Sequence, residues 1–105
     1  MKRVLPLLLL AACAHSSAPL VTDADAARAR TRWPSITRAE LDRGRAIYVG
    51  HCGNCHLIPK PTDHTPEEWP GHVSAMSERA GLTDDEQELV VRYVVTMASS
   101  TASSP

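Results

Sequence analysis

Three threonines, each followed three residues later by glutamate, punctuate this chain: Thr37-Arg38-Ala39-Glu40, Thr65-Pro66-Glu67-Glu68 and Thr83-Asp84-Asp85-Glu86. In such a box the Thr hydroxyl accepts from the amide three residues on, while the Glu carboxylate reaches back to the Thr amide. Two donors that a helix start leaves open are thereby paired. Pro66 suits a first helical position, where a missing N–H is not needed, and the acidic residues favour the positive end of each helix dipole. One box is a weak signal, because the pattern is short and polar. Three of them predict an all-α domain, and no strand-rich region competes with that reading.

The first helix is expected from about Arg38 to Gly50, with Leu41, Gly44, Tyr48 and Cys52 near one face. The last is expected from about Asp84 to Met97, with Leu89, Val90, Tyr93, Val94 and Met97 along its apolar side. Gly44 would allow a close helix crossing beside Tyr48; as an incidental helix glycine it would cost about 1 kcal/mol against Ala. Residues 37–97 make one small domain of about sixty residues, a marginal size for a self-sufficient core. The chain has no Phe at all, so a large apolar group from elsewhere is a natural complement. On either side, composition predicts little structure. Residues 14–36, rich in Ala, Ser, Thr, Asp and Arg, read as a flexible tether reaching ~25 Å. Residues 98–105, rich in Ser, Thr and Ala, read as a disordered tail.

The run Cys52-Gly53-Asn54-Cys55-His56 carries the chemistry. Two cysteines three positions apart can each form a thioether with one vinyl group of a single porphyrin. The histidine directly after them then lies under the ring with a nitrogen aimed at iron, which is the attachment pattern of c-type haem. Cys52 and Cys55 are thus the candidate attachment residues for one haem c per chain, and His56 is the proximal iron ligand. A thioredoxin-like redox pair would need the motif after a strand within a βαβ unit, and the residues before Cys52 read as helix. A zinc site would need two further ligands. His64 and His72 follow, at spacings unlike the usual finger. A structural Cys52–Cys55 disulfide is the remaining reading.

The N-terminus addresses the chain. Met1–Arg3 form a short basic region and Val4–Leu10 an apolar run too short to span a bilayer, closed by Leu10-Ala11-Ala12-Cys13. Small residues ending in cysteine resemble a bacterial lipobox. That resemblance implies removal of residues 1–12 and lipidation of Cys13, which anchors the protein to a membrane. An ordinary cleaved signal with an incidental Cys13 is the alternative. With three cysteines in all, two for haem and one for lipid leave no free thiol. Ala14 stands where an Asp would usually hold such a lipoprotein at the inner membrane. The resemblance therefore implies the outer membrane facing the periplasm, or the cell surface of a Gram-positive organism.

Gly44, Tyr48, Cys52, Cys55 and His56 together resemble the N-terminal helix of the small class I cytochromes c, over roughly residues 37–97. The resemblance implies three main helices around one haem, with Gly44 and Tyr48 packing against an aromatic of the last helix, here Tyr93. It also implies a methionine as distal ligand in the segment before that helix. Met76 fits that place and falls centrally on a Trp69, Val73, Met76, Ala80 stripe at helical spacing. A core methionine is its ordinary alternative. His72, ~40–60° from the middle of the stripe, is the second candidate for the distal position. Met97 is better explained by packing, His51 is too near Cys52 to reach the opposite face, and His64 falls in a polar loop. Trp69 is either a haem contact or a buried anchor. The chain departs from larger members in having Pro59 and Pro61 soon after the motif, so the carbonyl that would hold the second N–H of His56 is not identified.

These features imply a membrane-tethered electron-transfer protein working with redox partner proteins, not an enzyme. No nucleophile, acid–base pair or second metal site stands out, and His/Met ligation favours a relatively high potential. A sensor or small-ligand binder with an open distal position is the alternative, as is an accessory haem subunit of a larger oxidoreductase. The chain is near neutral, but residues 38–97 hold ten Asp/Glu and six Lys/Arg. That acidic domain could steer a basic partner, and the absence of a basic patch disfavours nucleic acid.

Overall fold

The computed structural model describes residues 18–51 and 58–102. The signal region, Cys13 and the 52–56 motif lie outside the described residues, as does the end of the tail at 103–105. Among the described residues there are four α-helices and no strand: α1 (Asp23–Ala29), α2 (Arg38–His51), α3 (Trp69–Ala80) and α4 (Asp84–Ala102). A 3-10 turn, Pro61–Asp63, lies between α2 and α3.

All three threonine boxes form. The Thr37 amide donates to Glu40 at 3.0 Å and the Glu40 amide to Thr37 Oγ1 at 3.1 Å. Thr83 and Glu86 repeat the exchange at 2.9 and 3.2 Å. At Thr65 and Glu68 it is also made, at 2.9 and 3.2 Å, but there it closes a turn and the α-helix begins only at Trp69. Pro70 explains the delay, because it has no N–H to give the carbonyl four residues back. The carboxyls of Glu68 and Glu86 are held below their ordinary values chiefly by the Thr65 and Thr83 amides that donate to them. Gly81 ends α3 at φ 73°, in the left-handed region that favours glycine. Its amide donates to Glu78 O and that of Leu82 to Ser77 O, at 3.3 and 3.1 Å.

α4 is the centre of the molecule; α2, α3, the 3-10 turn and α1 all pack on it. Coverage from several sides buries every residue from Tyr93 to Ala98, more than a one-sided stripe would. The α2–α4 crossing is set by Gly44. A Cβ there would be driven into the Leu89 carbonyl oxygen and would come within 3.0 Å of Tyr93 Cβ. The backbones therefore meet directly, with Tyr48 stacked at an angle on Tyr93, ring centroids 5.9 Å apart.

Two composition-based expectations are corrected. Residues 18–36 are not a flexible tether but part of the folded body. Ala18, Val21, Ala26, Ala29 and Ile36 are each only 2% exposed, because this segment packs on α4. Long-range hydrogen bonds hold it: Arg45 Nε to Ala18 O at 2.9 Å, Tyr93 OH to Pro19 O at 2.6 Å, and Arg28 to Thr96 O at 3.1 Å. The disordered tail expected from residue 98 is likewise helical to Ala102. Ala98 is buried, while Ser99 and Ser100 donate back to Val95 O and Met97 O within α4.

Candidate functional site

Both flanks of the 52–56 motif are anchored to an aromatic core. On the N-terminal side α2 runs to His51, whose Nδ1 lies 3.3 Å from Ala80 O at the end of α3. On the C-terminal side Tyr48 OH donates to Pro59 O at 2.5 Å, and Trp69 Nε1 donates to Pro61 O at 2.8 Å. Tyr48 and Trp69 are fully buried and meet edge to face, centroids 6.0 Å apart at 87°. A buried Tyr hydroxyl and Trp N–H require acceptors. The two prolines fix their own φ angles and offer carbonyls without competing amides. The motif is thus spanned by a helix end and a proline strut, both fastened to the same rings.

Trp69 is therefore a buried anchor. The acceptor role its partner plays was missed from sequence: Pro59 O and Pro61 O are engaged by Tyr48 and Trp69. The pattern of a Tyr one turn before the motif and prolines just after it was the available signal.

The buried face of α3 runs through Trp69, Val73 and Ser77, so its middle is shifted toward Ser77 from where the apolar pattern puts it. Ser77 is compatible with burial because its hydroxyl bonds Val73 O at 2.8 Å. Met76 consequently lies on the flank, ~60° from the buried middle by helical geometry, and is half-buried. His72 is exposed. Its ring stacks on that of His64, centroids 3.8 Å apart at 31°, and His64 in turn meets the edge of Trp69 at 4.9 Å. His64 is thus half-buried in a stacked cluster, where the polar loop suggested solvation. Met97 is 6% exposed in the core of α4, as its packing role requires.

The described residues suit a covalently attached porphyrin. Buried Tyr48 and Trp69 hold the chain at the two ends of the 52–56 run, and α3 carries the half-buried Met76 thioether. A zinc ion shared by His64 and His72 fits less well, because stacked imidazoles do not converge their in-plane lone pairs on one point. Among the described residues no group of three His, Cys, Asp or Glu is placed to hold a metal ion. No helix among them is long and apolar enough to cross a membrane. No protein-family model, curated protein or solved structure matches the chain.

Proposed function

We propose that this chain is a lipid-anchored, monohaem c-type cytochrome that passes electrons between partner proteins outside the cytoplasm. The observation that carries the reading is the Cys52-Gly53-Asn54-Cys55-His56 run, emerging from a helix whose Gly44 and Tyr48 pack on Tyr93 of α4. That crossing is the one the resemblance to class I cytochromes c implies. When bound, the haem iron would supply one-electron chemistry between ferrous and ferric states.

The chain's own residues do the holding. Cys52 and Cys55 attach the ring, His56 ligates from one side, and Met76 is the distal candidate with His72 as the alternative. Tyr48 and Trp69 brace the two ends of the attachment run, which limits rearrangement of the site between oxidation states. Cys13 carries the lipid. A second reading, a small-ligand binder with an open distal position, is favoured by one observation: Met76 stands on the flank of the buried face of α3.

Absorption spectra of the purified, haem-loaded protein in both oxidation states test the proposal, together with haem retention on denaturing gels. Covalent attachment keeps haem with the polypeptide. Quantitative extraction by acidified organic solvent would refute it. A six-coordinate spectrum in both states supports the carrier, and a five-coordinate ferrous state that binds carbon monoxide supports the ligand binder.

A further inference from the structure

Helix α3 is tied at both ends to the chain that flanks the 52–56 run. At its start Trp69 Nε1 donates to Pro61 O at 2.8 Å, in the segment just after the run. The indole is fully buried and meets Tyr48 and His64 edge to face, with centroids 6.0 and 4.9 Å away. At its other end Ala80 O lies 3.3 Å from Nδ1 of His51, the residue just before the run. α3 thus bridges the two flanks, and Met76 stands between the ties, half-buried.

The rotation of α3 about its own axis depends heavily on Trp69. Of the residues the helix buries, Trp69, Val73 and Ser77, only Trp69 is large, and small side chains restrict rotation less than an indole does. Pro70 brings no amide to the first turn, so the backbone ladder lacks a bond there and the side-chain tie matters more. A buried indole N–H also needs its acceptor, which makes the bond to Pro61 O costly to break. Met76 follows Trp69 by seven positions, which returns a helix to within ~20° of the same direction, ~10 Å farther along the axis. Trp69 and Met76 therefore lie on one line of α3. A turn of the helix that re-aimed the thioether would pull the indole from Pro61.

We infer that Trp69 is a positioning residue for the distal side of the haem site: through its bond to Pro61 O it fixes the rotation of α3 and so the direction in which Met76 presents its sulfur. The inference rests on the c-type haem reading of the 52–56 run. It adds what decides between a closed and an open distal position. With both ties made, Met76 is held in place as a ligand; with the Trp69 tie lost, an external ligand competes more easily.

The experiment compares the haem-loaded full mature chain with its Trp69→Phe, His51→Ala and Thr22→Ala variants, by ferric absorption spectrum and imidazole titration. Trp69→Phe keeps an aromatic ring and loses the N–H. It should weaken the long-wavelength band of Met-ligated ferric haem and raise imidazole affinity about tenfold. His51→Ala, an exposed change at the other tie, should raise it about threefold. Thr22→Ala loosens the α1 cap, away from both ties, and should change neither band nor affinity, which separates positioning from general loss of stability. If Trp69→Phe yields no folded protein, His51→Ala against Thr22→Ala decides. Loss of haem from the unaltered chain on a denaturing gel would overturn the c-type reading itself. With haem retained, a missing Met band in the unaltered chain, unchanged imidazole affinity in the tie variants, or an equal rise in Thr22→Ala would overturn the positioning role alone.

Discussion

Gly44 and Met76 show how differently two single residues are constrained. At Gly44 the nearest neighbour of an added methyl is a backbone carbonyl, which cannot swing aside. Gly44→Ala should therefore destabilise the protein by about 1–3 kcal/mol in urea unfolding, despite the better helix propensity of Ala. Gly50, also in α2, faces open space. Gly50→Ala should be neutral or stabilising by up to ~1 kcal/mol, so the pair separates crowding from propensity. Met76 is constrained only by half-burial, and its role is a matter of chemistry. In haem-loaded protein, Met76→Ala should abolish the weak long-wavelength band of ferric Met-ligated haem and lower the potential, since a soft ligand that stabilises ferrous iron is lost. His72→Ala should leave the band in place. Reversed behaviour would assign a bis-histidine site, and an unchanged spectrum in both variants an open distal position.

Helix α1 is where local chemistry and burial meet. Thr22 caps it with Asp25 as the reciprocal partner, Thr22 amide to Asp25 Oδ2 at 2.8 Å and Asp25 amide to Thr22 Oγ1 at 3.1 Å. This is a T-x-x-D version of the boxes at Thr37, Thr65 and Thr83, and it is the signal that would have found α1. Thr22→Ala should cost about 1 kcal/mol in denaturant unfolding. Two titrating groups hold this segment, with opposite pH signs. Burial pushes the Asp25 carboxyl up, but hydrogen bonds from Arg28 and Thr22 outweigh it and leave the pKa below its ordinary 3.8. Its contribution is therefore present above the unfolded value and is lost as pH falls through the lowered native one. Burial raises the Tyr93 phenol above its ordinary 10.0. That contribution is complete below the unfolded value and declines as pH rises past it. Stability measured against pH should fall at both extremes, with Asp25→Asn flattening the acid limb and Tyr93→Phe the alkaline one.

For the molecule as a whole, folding of residues 18–36 changes how a lipid anchor would act. A tether ending at residue 36 would let the domain roam ~25 Å from the membrane. With Ala18 already buried in the body, the five steps from Cys13 span at most ~18 Å even fully extended. Such an anchor would hold the domain close to the bilayer. Mass spectrometry of the mature N-terminus should find a lipid-modified Cys13. A lipid-free protein beginning elsewhere would make it a soluble carrier instead.

Helix identity was legible in this sequence because capping is a local matter. Thr37, Thr65 and Thr83 each meet a glutamate three residues away whatever the rest of the chain does. The Gly44–Tyr48–Tyr93 crossing was expected from the resemblance to class I cytochromes c; helical spacing alone puts the three on inward faces without pairing them. The 52–56 motif is read from residue identity alone, and the haem attachment proposed for it rests on that pattern. What tertiary structure decided was burial by small residues. Ala18, Ala26 and Ala29 have no apolar periodicity strong enough to announce a core, and they become one only because α4 lies beneath them; Ala98, in α4 itself, is buried by what packs around that helix. The same holds on α3, where the buried middle moved from Met76 toward Ser77 once Val73 O satisfied the serine hydroxyl. Local hydrogen bonds are encoded within a few residues, whereas the position of a helix's buried face depends on which neighbours cover it.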